Sequence, residues 1–93
     1  MAYIIVRHTV ADYARWKALF DADVANRQAG GSKGGQLFRS ADDPNEVVML
    51  FEWDLEQARQ FSQSKDLRAK MQEAGVLDPP DFHFLEEIEQ LSR

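Results

Sequence analysis

The chain has no cysteine, only three prolines and only five glycines in 93 residues. Without a thiol there is no disulfide framework, no zinc ribbon and no cysteine nucleophile. So little proline and glycine, beside 44% apolar and 29% charged residues, excludes a collagenous, low-complexity or disordered chain and fits one globular domain over residues 1–93. No apolar run approaches the ~18 residues that a bilayer span requires, and the opening Met1-Ala2-Tyr3-Ile4-Ile5-Val6-Arg7-His8 is too short and wrongly ordered for a signal peptide; the expected address is cytoplasmic. A clustered basic face is also missing. The net charge is −5, so the counterion release that drives nucleic-acid binding has no obvious source. The charge is uneven: residues 1–40 carry six basic side chains against three acidic ones, and residues 41–93 carry five against thirteen. The acidic Glu86-Glu87-Ile88-Glu89 reads as a solvated strand edge or tail.

What is present is periodic. Tyr3-Ile4-Ile5-Val6 continued through Thr9 reads as a strand. Asp12 suits a helix N-cap, and Tyr13, Trp16, Phe20, Val24 and Arg27 fall on one helical stripe, which predicts a helix over 12–28 ended by Gly30-Gly31. Residues 34–40 and 46–53 read as two strands joined by the turn residues Asp43-Pro44-Asn45. Asp54 with Gln57 offers a capping box and Ser64 a second cap, which predicts two short helices or one kinked helix ending at Gly75. Pro79-Pro80 forbids continuation, and residues 81–89 read as a last strand.

The order strand, helix, strand, strand, helix, strand, with right-handed crossovers, predicts an α+β fold. Its sheet should carry the strands in the order four, one, three, two, with both helical segments on one face. Strands one and three are expected to run parallel. Val47-Val48-Met49-Leu50-Phe51 and Tyr3-Ile4-Ile5-Val6 are apolar in both registers, whereas a sheet with one wet face alternates. The uncovered face therefore calls for a second copy of the chain, a homodimer.

In this reading the rim formed by the end of strand one, the end of strand three and the start of strand four brings His8, Trp53 and His83 together. The two histidines are the first candidates for a general base or acid because imidazole titrates near neutral pH. Tyr13, Trp16 and Phe20 are core residues or the walls of a pocket for a flat apolar ligand. Arg7 and Arg39 are cations on strands. A metal held by His8, His83 and Glu52 has no short-spaced ligand motif behind it, and no metal is expected. Gly30-Gly31-Ser32-Lys33-Gly34-Gly35 follows a helix and opens a strand, the reverse of a phosphate loop, so it reads as a turn with a close backbone approach. There is no nucleophile elbow for a serine triad.

Taken together, Val6-Arg7-His8-Thr9-Val10, Asp12-Tyr13, Trp16-Lys17, Gly34-Gly35-Gln36-Leu37-Phe38-Arg39, Asp42-Asp43-Pro44-Asn45-Glu46-Val47-Val48 and Phe51-Glu52-Trp53-Asp54 resemble the antibiotic biosynthesis monooxygenase family over nearly the whole chain. The resemblance implies a ferredoxin-like βαββαβ fold and a dimeric α/β barrel in which two sheets face each other. Proteins similar in fold include quinone-forming oxygenases that need no metal or flavin, haem-degrading enzymes and isomerases. The haem-degrading branch uses a histidine and a tryptophan in the second helical region, and residues 55–74 contain neither. The resemblance therefore implies a cofactor-independent monooxygenase or related enzyme acting on an apolar aromatic or polyketide-type molecule. The resemblance carries over the apolar pocket and no catalytic residue set; on the reading of the residues above, His8 or His83 would be the base, Tyr13, Trp16 and Trp53 the pocket walls, and Arg39 an anion partner. The alternative is a non-catalytic dimer that binds a small molecule or serves in a stress response.

Overall fold

The computed structural model describes residues 2–92. Its elements are β1 (Ala2–Thr9), α1 (Tyr13–Ala22), α2 (Val24–Ala29), β2 (Ser32–Arg39), β3 (Glu46–Trp53), α3 (Leu55–Ser62), α4 (Lys65–Glu73) and β4 (Asp81–Glu86). The sheet order is β2-β3-β1-β4, and each neighbouring pair is antiparallel. The spatial order is the expected one, but β1 and β3 do not run parallel. The helical crossover makes β1 and β2 parallel, and the hairpin then reverses the chain, so β3 lies between them in the opposite sense. This corrects the expected rim. His8 stands opposite Val47, at the start of β3, and Trp53 belongs to the far end, beyond the Tyr3–Glu52 pair.

The caps are where the side-chain chemistry places them. The Asp12 carboxylate accepts from the backbone N–H of Ala14 and Arg15, Asp54 from Gln57, and Ser64 from Leu67. The helix expected over 12–28 is broken at Asp23, whose φ of −94° and ψ of 7° leave the helical region. After the break α2 packs against β2, the edge strand of the sheet. The second helical segment is two helices, separated by the Ser64 cap. The last strand stops at Glu86 rather than Glu89, and Ile88 and Leu91 beyond it are exposed.

All the helices pack on one face. Along β3, Val47, Met49, Phe51 and Trp53 are buried while the alternate residues are only half-buried; along β1, Ile4, Val6 and His8 are buried. These meet Trp16 of α1, Ala58 of α3 and Ala74 in one core. The other face carries Ile5, Val48 and Leu50, together with exposed Phe38 and Leu85. Gly35 is a position where only glycine fits: a Cβ there would lie 1.8 Å from the Leu50 carbonyl oxygen, beside the irregularity in the β2–β3 register. The close approach read from the glycine-rich segment is thus real, and it belongs to sheet pairing. Among the described residues no helix is long and apolar enough to cross a membrane.

Candidate functional site

Between the helices and the sheet lies a cavity of about 250 Å³, just below the roughly 300–1,000 Å³ range of ligand pockets. Its floor is the buried face of β1 and β3, its walls are Trp16 and Phe20 on one side and Ala58, Phe61 and Met71 on the other, and Phe82 closes the β4 side. Ala22 and Glu73, both exposed, mark where it meets solvent. The lining is apolar except for a few side chains: His8, Asp23, Arg27, Ser62, Lys70 and Glu73.

His8 reaches the cavity because the two-residue period of β1 puts Ile4, Val6 and His8 on the same side. It is 4% exposed, and among the described residues neither Nδ1 nor Nε2 has a hydrogen-bond partner. Buried polar atoms are nearly always paired, because leaving one unpaired costs about 1–3 kcal/mol. The ring stands edge-on to the indole of Trp16, with centroids 5.5 Å apart and planes at 78°. Burial disfavours the imidazolium and lowers the pKa from 6.5 to about 4, so at neutral pH the ring is uncharged, with one N–H to donate and one lone pair to accept. It has the makings of a proton acceptor facing an apolar space.

The other candidates are distributed unevenly. Trp16 lines the cavity, stacked on Phe20 with centroids 4.8 Å apart. Trp53 lines it at the opposite end from His8 and donates its indole N–H to the Gly30 carbonyl across 2.9 Å. Tyr13 is next to Trp16, centroids 6.0 Å apart, and the Arg39 guanidinium lies 4.6 Å from the Tyr13 ring centre; neither residue lines the cavity. His83 pairs with Ile5 on the other face of the sheet and is exposed. The two histidines are therefore not brought together. Glu52, opposite Tyr3, shares the face of His83, so a metal set of His8, His83 and Glu52 is split across the sheet. Among the described residues no group of three or more His, Cys, Asp or Glu is placed to hold a metal ion.

Two cations at the cavity were not singled out from the sequence. Lys70 of α4 donates to Asp23 at 2.7 Å and lies 3.3 Å from Asp66, and these carboxylates raise its pKa. Arg27 of α2 lies over Phe20, its guanidinium carbon 3.8 Å from the ring centre. Its place on the Tyr13–Trp16–Phe20–Val24 stripe was the available signal, because a cation on the buried stripe of a helix needs a reason to be there.

No protein-family model matches the chain, and no curated protein matches it. Solved structures do. SnoaB, a cofactor-independent oxygenase from Streptomyces nogalater, superposes with a TM-score of 0.76 at 18% identity, over 99% of this chain and 97% of that one. Rv0793 from Mycobacterium tuberculosis gives 0.70 at 23% identity, with 98% of each chain covered. A structure described as an antibiotic biosynthesis monooxygenase gives 0.71 at 15% identity, over 96% of this chain and all of that one. At these identities the likeness establishes the fold, and that fold is the ferredoxin-like α+β arrangement implied by the resemblance.

Proposed function

We propose that the cavity binds an apolar aromatic molecule with an acidic O–H or activated C–H, and that His8 takes up the proton, as in cofactor-independent monooxygenation. The observation that carries this reading is a buried imidazole with both nitrogens unpartnered on the wall of an apolar cavity. A low pKa keeps the base unprotonated while the site is empty. Once the substrate anion forms beside it, attraction across a water-poor space stabilises the imidazolium, so proton transfer raises the basicity that it needs. An electron-rich carbanion or phenolate of this kind reacts with dioxygen. For a methylene held between two aromatic rings, two C–H bonds are replaced by C=O, one oxygen atom stays on carbon and the other leaves as water. Trp16, Phe20 and Trp53 hold the rings flat, and fixed orientation is itself a large part of the rate. The fold shared with a cofactor-independent oxygenase supports the same assignment by analogy.

The reading includes a second copy of the chain. Ile5, Val48 and Leu50 form an apolar patch on the helix-free face, and a twofold partner laid against it removes that patch from water. The pair would place the cavities on the outer sides of two facing sheets.

The test is oxygen uptake by the purified protein with anthrone and with hydroquinone-type substrates, alongside the His8→Gln variant. The expected result is turnover with the parent protein and a loss of ~100-fold or more in the variant, the usual range for removing a general base. Binding of anthrone without oxygen uptake would reject catalysis and favour the non-catalytic alternative.

A further inference from the structure

Arg27 is a partly buried cation whose neighbouring anions are already taken. One guanidinium N–H is spent on the Phe20 carbonyl at 2.7 Å, and the guanidinium carbon stands over two rings, 3.8 Å from the centre of Phe20 and 6.0 Å from that of Phe51. The two carboxylates whose fields reach it are Asp23 and Asp21. Asp23 is bound by Lys70 at 2.7 Å and Asp21 by Lys17 at 2.5 Å. Among the described residues Arg27 has no ion pair of its own. Taking a cation out of water without a partner is costly, and four of its five N–H groups have no described acceptor.

The position gives that vacancy a direction. His8, Trp16, Phe20 and Arg27 form a column of ring and guanidinium contacts, with successive separations of 5.5, 4.8 and 3.8 Å, along one side of the cavity. A neutral proton acceptor stands at one end of the column and an unpaired cation at the other. Arg27 also lines the adjoining groove under β2, so it sits where the two spaces join at Phe20, Met49 and Phe51. Lys70, the other lining cation, is occupied by two carboxylates.

We infer that Arg27 is the seat for an anionic group of the cavity's ligand, which makes that ligand an acidic aromatic with a carboxylate or phenolate at the end remote from His8. The planar fork of a guanidinium matches a carboxylate through two parallel hydrogen bonds, which an ammonium does not. This rests on the cavity being a ligand site, as proposed above, and adds a charge requirement to it.

The test uses two probes of nearly equal shape, 2-naphthoate and the neutral 2-naphthamide, titrated into the full chain at pH 8. The parent protein should bind the naphthoate about tenfold more tightly or better, the worth of one charge-assisted contact. In Arg27→Met, which keeps an unbranched stem over Phe20, the two probes should bind within about twofold of each other. In the parent protein the Arg27 Nε–H resonance should move on adding naphthoate and stay still with naphthamide, a readout that does not depend on a variant folding. Equal binding of the two probes, a preference that survives Arg27→Met, or an unmoved Nε–H signal would overturn the inference while leaving the cavity a binding site. Failure of both probes to bind the folded parent protein would overturn the cavity reading as well.

Discussion

His8 and Trp16 meet edge-on, and neither imidazole nitrogen has a hydrogen-bond partner among the described residues. The pair joins β1 to α1, so the same contact that closes the core also holds the imidazole at the cavity wall.

That burial makes folding pH-dependent with a definite sign. The folded pKa is about 4 and the unfolded value 6.5, so between them the unfolded chain binds the extra proton. The penalty is absent above pH 6.5, grows as the pH falls, and levels off below pH 4, at about 3 kcal/mol for the whole shift. Urea unfolding of the parent protein and of His8→Leu across pH 4 to 7 measures it. The difference between their stabilities should change by about that amount over the window, and two parallel profiles would refute the assignment.

Trp53→Phe removes the indole N–H that binds Gly30 while keeping most of the apolar surface. A loss of about 1–2 kcal/mol is expected, for one hydrogen bond with a partly buried acceptor left behind. Thermal unfolding is the measurement, and an unchanged midpoint would mean that water replaces the bond at no cost.

Gly35→Ala puts a methyl group into the Leu50 backbone. Because main-chain atoms rather than a mobile side-chain end must move, a destabilisation of about 2 kcal/mol or more is expected. Hydrogen exchange should locate it in the β2–β3 ladder ahead of β1–β4.

Asp12→Ala deletes the cap that receives two backbone N–H groups at the start of α1, at a cost of about 1 kcal/mol. Asp12→Asn keeps an acceptor and should restore most of that stability in the same unfolding assay.

If a second copy covers the helix-free face, Leu50→Lys puts a charge at the centre of that contact. Sedimentation should then show a pair for the parent chain at micromolar concentration and a single subunit for the variant, with secondary structure unchanged. A parent protein that sediments as a single subunit would end this part of the proposal.

The fold was legible because its signals are local: caps at Asp12, Asp54 and Ser64, turn chemistry at Asp43-Pro44, and glycines that end helices. Strand order followed from handedness. The sense of β3 against β1 did not, because it depends on counting reversals through the whole topology, and that single slip moved Trp53 to the wrong end of the cavity. His8 was found by residue type alone. His83 was grouped with it because one residue of register decides which side of a sheet a side chain takes, and nothing local in residues 81–86 marks that choice. Arg27 was visible on the helical stripe, but its lack of a counter-ion emerges only when Lys70, remote in sequence, is seen to hold Asp23.

The Trp53–Gly30 hydrogen bond fastens the end of α2, and Arg27 with it, to the tip of β3. A substitution that deepened the cavity floor at Trp53 would remove that tie and leave the Arg27 guanidinium to the Phe20 carbonyl and ring alone. If the cavity takes the acidic aromatic proposed above, the room at Trp53 and the placing of Arg27 share that one tie, so enlarging the one disturbs the other.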